Sequence, residues 1–466
     1  MQSLVRVLTF VLATGIVVGF ARADEVDDIA EAAIKKLGGS VRRNDQAAAK
    51  PIIGVMLSMS DCSDADLAVL SKLTSLESLT LYRTKITDAG LASLANLKAL
   101  KSLDLIATKV TDAGLKELAN LVSLEQLSLS NTAVTGAGIA SLADLKALHW
   151  LHLHEAKITD DGLKGIGAVK QLRHLDISGT EITGTGLKEL AGLTELHSLN
   201  LSWSKLTDEG LKEVPNWQKL HVLSLFRTKI TDAGLVEFAK LPSLTNLNLS
   251  YTGVTGAGLR GFACKDSLTQ LELMAAKVTD EGLKEVGAFP SLQMLRLDGN
   301  RNITSAGVAH LAGLARLGYL DLSKSAVDDS GLAHFSIMKK LETLDLAGTA
   351  VTDGGLKEVS KLDSLSRLNL SGTKVTGTGL ADIANVKSLR SLSLSGSAVS
   401  DEGLKGVGAL TSLTTLDLSN SAITDPGLKE LANLKALKSL NLFRSKASKS
   451  GIDQLRSTLV QCRIRN

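Results

Sequence analysis

Aromatic side chains make up only 3% of this 466-residue sequence, with three Trp and three Tyr. Any surface on which several gather is therefore informative, because aromatics and Arg anchor interfaces. Cysteine is as scarce: Cys62, Cys264 and Cys462 are odd in number and lie about 200 residues apart. In an elongated fold they cannot meet, so no intrachain disulfide is expected and all three read as packing residues. A charge excess is missing too. There are 52 Lys and Arg against 49 Asp and Glu, and loss of residues 1–23 would remove Arg6 and Arg22 and no acid. A near-neutral balance argues against a nucleic-acid or anionic-membrane binder. The one long apolar run, "VLTFVLATGIVVGF" at residues 7–20, has 14 residues and is followed by "ARA". That is short of a spanning helix and fits a signal peptide over residues 1–23. The expected destination is the periplasm, the extracellular space or the cell surface, with no membrane span after cleavage; a retained anchor is the other reading.

What the sequence has is a repeat. Rows of 24 residues begin at Leu76, "LESLTLYRTKITDAGLASLANLKA", and recur to Leu437; a weaker row fits upstream through Ile52, Val55, Leu57 and Leu67, which makes about 17 repeats. Only the row from Leu292 has 25 residues. A fixed period of this length predicts a solenoid in which each turn covers its neighbour's apolar face. Within a row, LxxLxL has period 2 and predicts a short strand, while GLxxLxxL has helical spacing and predicts a short helix returning on the outside.

Every row from Leu76 carries Gly at the same place, the fifteenth, or the sixteenth in the longer row (Gly90, Gly114 and onward to Gly451). Either adjacent turns approach closely there or the dihedral resists other residues. A Thr or Ser precedes this Gly by six positions in thirteen rows, where a hydroxyl can satisfy the bend after the strand. The pairs Thr87-Asp88, Thr111-Asp112 and Thr159-Asp160 predict an N-cap and first turn. Residues 24–51 predict a helical cap with Val26, Ile29, Ala30, Ala33 and Leu37 on one face. Residues 52–460 are the solenoid, and residues 461–466 a capping strand with Ile464 in the apolar register.

This pattern resembles the leucine-rich repeat proteins over residues 52–466. The wording VTDxGLxxLxxL is similar to the cysteine-containing or ribonuclease-inhibitor-like subclass, known from F-box adaptors and from exported bacterial proteins of planctomycete type. The subclass often places Cys or Asn in the bend, where this chain has Thr or Ser. The resemblance implies an α/β fold: a right-handed leucine-rich-repeat solenoid with a parallel inner β-sheet and short outer helices. It also implies a concave face that binds protein, without naming a partner. An F-box-like ubiquitin-ligase adaptor is disfavoured, since residues 24–51 are too few for a recruiting domain.

Several motif matches dissolve in the register. "GAGLRG", residues 256–261, satisfies a dinucleotide fingerprint, yet two of its glycines follow from the repeat's own T-G-x-G-L and no separate βαβ unit surrounds it. "HEAKI", residues 154–158, has Ile158 where a zinc protease needs its second histidine. "DGNRN", residues 298–302, lacks the later ligands of a calcium loop and reads as a one-residue insertion. The sequons at Asn200, Asn248 and Asn369 follow from the repeat's strands, leaving Asn302 as the one in a loop.

The third, fifth, seventh and eighth positions of each row point outward. From the row of Leu148 onward they hold Trp150, His152, His154, Glu155, His174, Asp176, Trp203, Phe226, Arg227 and Tyr251, then Glu272 and Met274. From Leu341 to Ala436 they are nearly all small, Arg367 excepted. The first group is a candidate binding patch; free drift of unconstrained edge positions is the competing account. Zinc held by His152, His154 and His174, as in a metal-dependent hydrolase, is an alternative. No row supplies a nucleophile with a positioned base, however, so neither catalytic residue nor cofactor is expected. The reading is a non-enzymatic scaffold that binds a protein or cell-surface polymer on its concave face.

Overall fold

The computed structural model describes residues 23–466. The expected signal peptide lies outside them except for Ala23, which opens the first helix. The chain forms two compact units, one through Lys157 and one from Ile158.

In the first unit, helix α1 (Ala23–Lys36) buries Ala30 and Ile34 completely. This differs from the expected face: Ile29 is 60% exposed. Ile34 lies four residues beyond Ala30, one helical turn along the same stripe, and takes the inward place. The cap also holds a strand that the periodicity missed. Strand β1 (Ser40–Arg43) pairs antiparallel with β2 (Ile52–Met56), Val41 opposite Val55. The first edge is thereby paired instead of open. Asp27 accepts the Ile52 N–H at 2.6 Å and Arg43 bridges Asp28 and Glu31, which ties helix to hairpin.

Beyond β2, strands β3 (Ser78–Thr80), β4 (Ser102–Asp104), β5 (Gln126–Ser128) and β6 (Trp150–His152) stack in parallel. Each central leucine faces the next, from Leu79 through Leu103 and Leu127 to Leu151. The second unit repeats this from β7 (His174–Asp176) through β8 (Ser198–Asn200), β9 (Val222–Ser224) and β10 (Asn246–Asn248), on to the strand Ser439–Asn441. Helix Lys449–Thr458 and strand Arg463–Arg465 close it, with Ile464 opposite Leu440 as the sequence predicts. The chain is thus a leucine-rich-repeat solenoid of short parallel strands and short α- or 3₁₀-helical returns.

The leucines of both segments are buried, Leu76, Leu81, Leu91 and Leu94 completely so. Trp217, Phe238, Phe262, Phe289 and Phe335 are also core residues of the returns. Aromatics are therefore not gathered on the outward face alone: part of the scarce supply replaces leucine inside. Cys62 and Cys264 are buried free thiols, pushed up to about 12 and about 11 by burial. Cys462 is half-exposed instead of packed, just before the strand Arg463–Arg465.

Two readings of the recurring glycine were open, and space decides between them. Gly162 and Gly355 have ordinary helical φ of −67° and −74°. A Cβ on Gly379 would lie 2.6 Å from the Asp353 carbonyl oxygen in the row before. The hydroxyls behave as predicted: buried Thr84 donates to the Leu81 carbonyl at 2.7 Å and Thr349 to that of Leu346 at 2.6 Å. In the longer row Asn300 takes this place, 2% exposed, and donates to both the Leu273 and Leu297 carbonyls.

The N-cap expectation captured half of what the Thr-Asp pair does. Thr87 Oγ1 accepts the Ala89 N–H at 3.3 Å, but each Asp also reaches across to the next row. Asp64 accepts both the N–H and the hydroxyl of Thr87, at 2.8 and 2.6 Å, and Asp88 does the same for Thr111. Asp329 repeats it with Thr352, and Asp425 with Ser448. Burial alone would raise the Asp160 and Asp353 carboxyls; the donors of Thr183, Gly184 and Gly186, and of Thr376, Gly377 and Gly379, outweigh it and hold both below the usual range. Where Gly replaces the Asp, as at Gly256 (φ 101°), the Thr255 carbonyl accepts from Thr279 instead. That accounts for the first glycine of "GAGLRG", and the close approach of Asp232 for Gly258.

Candidate binding surface

The outward face is set by how each strand ends. The fifth residue of many rows is Asp or Asn, and its side chain accepts the N–H two residues on: Asp104 from Ile106, Asp176 from Ser178, Asn248 from Ser250 and Asp345 from Ala347, all at 2.9 to 3.0 Å. The eighth residue then takes a left-handed conformation. Its φ is positive in every row, from Met59 through Arg83, Glu155, Trp203, Arg227 and Tyr251 to Arg444, and Gly179, Gly299, Gly348, Gly372 and Gly396 occupy the same place. Its N–H joins the ladder, as Trp203 donates to the Phe226 carbonyl at 2.8 Å and Arg227 to that of Ser250 at 3.0 Å. Glycine meets this dihedral at no steric cost, while a bulky residue is strained there.

In the first unit, Trp150 is 38% exposed and stacks on His152, ring centroids 6.3 Å apart. His154 Nε2 lies 3.6 Å from Glu155 Oε1, and Asn131 Nδ2 donates to the other Glu155 oxygen at 2.6 Å. The contacts make two groups, Trp150 with His152 and Glu155 with His154 and Asn131. Burial pushes the nearby Asp104 carboxyl up, with His152 opposing.

In the second unit, Trp203, Phe226, Arg227 and Tyr251 come together on three consecutive rows. Phe226 meets Trp203 and Tyr251 edge-on, at 5.7 and 5.4 Å between centroids. The Arg227 guanidinium carbon sits 4.2 Å from the Trp203 ring centre and 4.7 Å from that of Tyr251. Trp203 is 52% exposed and Tyr251 40%; Val222, which the sequence reading passed over, adds another exposed apolar side chain.

The other two predicted residues lie apart from this platform. Asp176 is occupied by the bend at Ser178. His174 packs 6.4 Å from His197, which in turn stacks on His221 at 5.4 Å, so histidines placed outside the patch form a row of their own. Sequence reading also missed a cluster further on: Arg296 lies between Glu272 and Asp298, each at 3.7 Å. Burial, then Asp321, pushes the Asp298 carboxyl up, and burial raises the Tyr319 phenol and the Asp345 carboxyl. Among the described residues, no group of three or more His, Cys, Asp or Glu side chains is positioned to hold a metal ion. No such group contains His152, His154 and His174, the residues of the hydrolase alternative.

Repeating strands that expose one face of side chains define a repeat protein of the binding type. A family model described as a leucine-rich repeat region matches residues 56–308, and one for a single leucine-rich repeat matches residues 338–360, 387–408 and 409–432. The chain belongs to the leucine-rich repeat family. Among solved structures, a leucine-rich repeat protein of Leptospira interrogans is 25% identical, with a TM-score of 0.59 over 81% of this chain and 98% of that one. The functional domain of InlJ from Listeria monocytogenes, which includes a cysteine ladder, is 18% identical, with a TM-score of 0.52 over 75% and 74%. The Arabidopsis receptor kinase HAESA ectodomain, solved with a peptide hormone ligand, is 19% identical, with a TM-score of 0.50 over 91% and 82%. A search of curated protein sequences returns no match.

Proposed function

We propose that this chain is a non-enzymatic interaction protein that works outside the cytoplasm and captures a protein partner on its strand-exposed face, the face the family resemblance makes concave. The observation that carries this is the gathering of Trp203, Phe226, Arg227 and Tyr251 on three successive rows, with Trp203 52% and Tyr251 40% exposed, in a chain where aromatics are scarce. Exposed rings and an Arg gathered on one face are what anchors an interface. Trp150, His152, His154 and Glu155 are a second set of candidate contacts in the first unit, and His174 and Asp176 are further candidates in the second. The fold permits such a role, as the peptide-bound HAESA ectodomain illustrates, although fold alone does not assign it. Export rests on the pattern of residues 1–23. Among the described residues no helix is long and apolar enough to cross a membrane. Nucleic acid is not the expected partner, since the net charge is small.

The test is capture of binding proteins from an extracytoplasmic fraction by the purified chain and by its variants. Trp203→Ala and Phe226→Ala should each weaken capture at least tenfold, as loss of an interface anchor does. Capture that survives both and disappears in Asp345→Ala or Asp417→Ala would move the contact surface to the C-terminal rows.

A further inference from the structure

We infer that the Trp203–Arg227–Tyr251 stack is a receptor for a single carboxylate, and that its occupant is an extended, otherwise neutral protein segment carrying one Asp or Glu. This deepens the surface reading above and rests on it.

Arg227 lies on the row between Trp203 and Tyr251, since β9 is hydrogen-bonded to β8 on one side and β10 on the other. Rings at 4.2 and 4.7 Å cover its planar fork from both neighbouring rows. What remains is the N–H edge, whose geometry matches a carboxylate in a bidentate pair. The stack also restrains a long side chain before any partner arrives, which lowers the ordering cost of binding.

The charge of Arg227 is unmet. Among the described residues its guanidinium has ring contacts and neither an ion pair nor a hydrogen bond, whereas Arg296 lies between Glu272 and Asp298 and Arg43 between Asp28 and Glu31. The outward positions of the rows from Leu196, Leu220 and Leu244 hold no Asp, Glu or Lys, and no other Arg. They are Ser and Asn around Val222, Phe226 and the stack. One cation in a neutral, partly apolar field selects the occupant. A nucleic acid carries a charge at every phosphate and calls for a series of cations. A polyuronate carries one on every sugar and faces the same mismatch. A protein segment with one acidic residue among neutral and apolar neighbours meets the field as it stands.

The experiment uses the full chain, immobilised, and a displayed library of random linear peptides, with polygalacturonate and poly(U) as separate probes. Selected peptides should be enriched in one Asp or Glu beside apolar residues. Replacing that acid by its amide, or Arg227→Gln in the protein, should weaken binding about tenfold to a hundredfold, the worth of a charge-assisted hydrogen bond. Binding should weaken only modestly with added salt, as one ion pair requires. The inference is overturned if no peptide is selected, if the peptides lack acidic enrichment, if Arg227→Gln binds them equally, or if either polyanion binds through Arg227 with steep salt dependence. Failure here is separable from failure of the broader reading. If Trp203→Ala loses the native partner while Arg227→Gln keeps it, the surface stands and the carboxylate falls; if both keep it, the surface itself is wrong.

Discussion

The rows from Leu196, Leu220 and Leu244 and those from Leu341, Leu365 and Leu389 share one backbone and present opposite surfaces. Their central leucines are equally buried: Leu199, Leu223 and Leu247 at 0 to 1%, Leu344, Leu368 and Leu392 at 0 to 2%. At the left-handed position the first set carries Trp203, Arg227 and Tyr251 and the second Gly348, Gly372 and Gly396. The first set leaves rings and a guanidinium facing outward. Both sets pair hydroxyls laterally, Ser202 with Ser224 at 2.8 Å and Ser371 with Ser393 at 2.7 Å, and the second adds Asn369 donating to Asp345 at 2.8 Å. The lesson is that packing and surface are decoupled in a repeat. The core holds seven apolar positions in a row such as that of Leu76 (Leu76, Leu79, Leu81, Ile86, Leu91, Leu94 and Leu97), and exposed positions are free to be selected for contact.

The comparison can be broken in three ways. The largest effect tests whether the cores are equivalent. Leu247→Ala and Leu368→Ala should each cost about 2–5 kcal/mol in urea unfolding, and by similar amounts, because each empties a fully packed site. A much milder Leu368→Ala would show that the two sets differ inside as well as out. A smaller effect tests the strain. Gly372→Trp should destabilise by roughly 1 kcal/mol, while Trp203→Gly should cost no stability and still weaken capture. If Trp203→Gly instead unfolds the chain, the tryptophan is there for packing.

The smallest effect is in the pH dependence within the second set. The Asp353 carboxyl is held below its usual range, so its contribution is present above the unfolded value near 4 and is lost as pH falls through the folded one. Asp345 is raised by burial, so the fold is favoured while it is protonated and that advantage is lost as pH rises through its folded value. Asp353→Asn should therefore destabilise more at pH 7 than at pH 3. Asp345→Asn should be relatively more stable at pH 7 than at pH 3. Like signs for the two variants would remove the electrostatic account of the Asp–Thr ladder.

Most of the fold was legible because it is periodic. Leu76 and its fifteen equivalents set the register, and Thr84 and Gly90 marked the bend and the close approach. Residues outside the period were harder to place. Ser40–Arg43 lies in a strand with no leucine pattern, and Ile29 and Ile34 compete for one face. At the candidate site Trp150, Trp203 and Tyr251 are exposed as read, whereas Ser178, Ser202 and Ser250, on positions read as outward, are buried, and which residues meet was not visible. His174 and Asp176 read as members alongside Trp203, although Asp176 is spent on its own bend and His174 packs with His197. The recurring Gly at position eight, in Gly179, Gly299 and Gly348, was the available sign of the left-handed dihedral.

By itself the sequence determined the repeat, its period and which leucines are buried, because a single period-2 strand and a helical return leave one way to hide that many apolar side chains. Only the tertiary structure decided that Arg227 lies between two rings, that each Asp clamps the following row, and that several aromatics pack inside. Those are relations between residues 23 or more positions apart. They exist only once neighbouring turns are stacked about one strand spacing from each other.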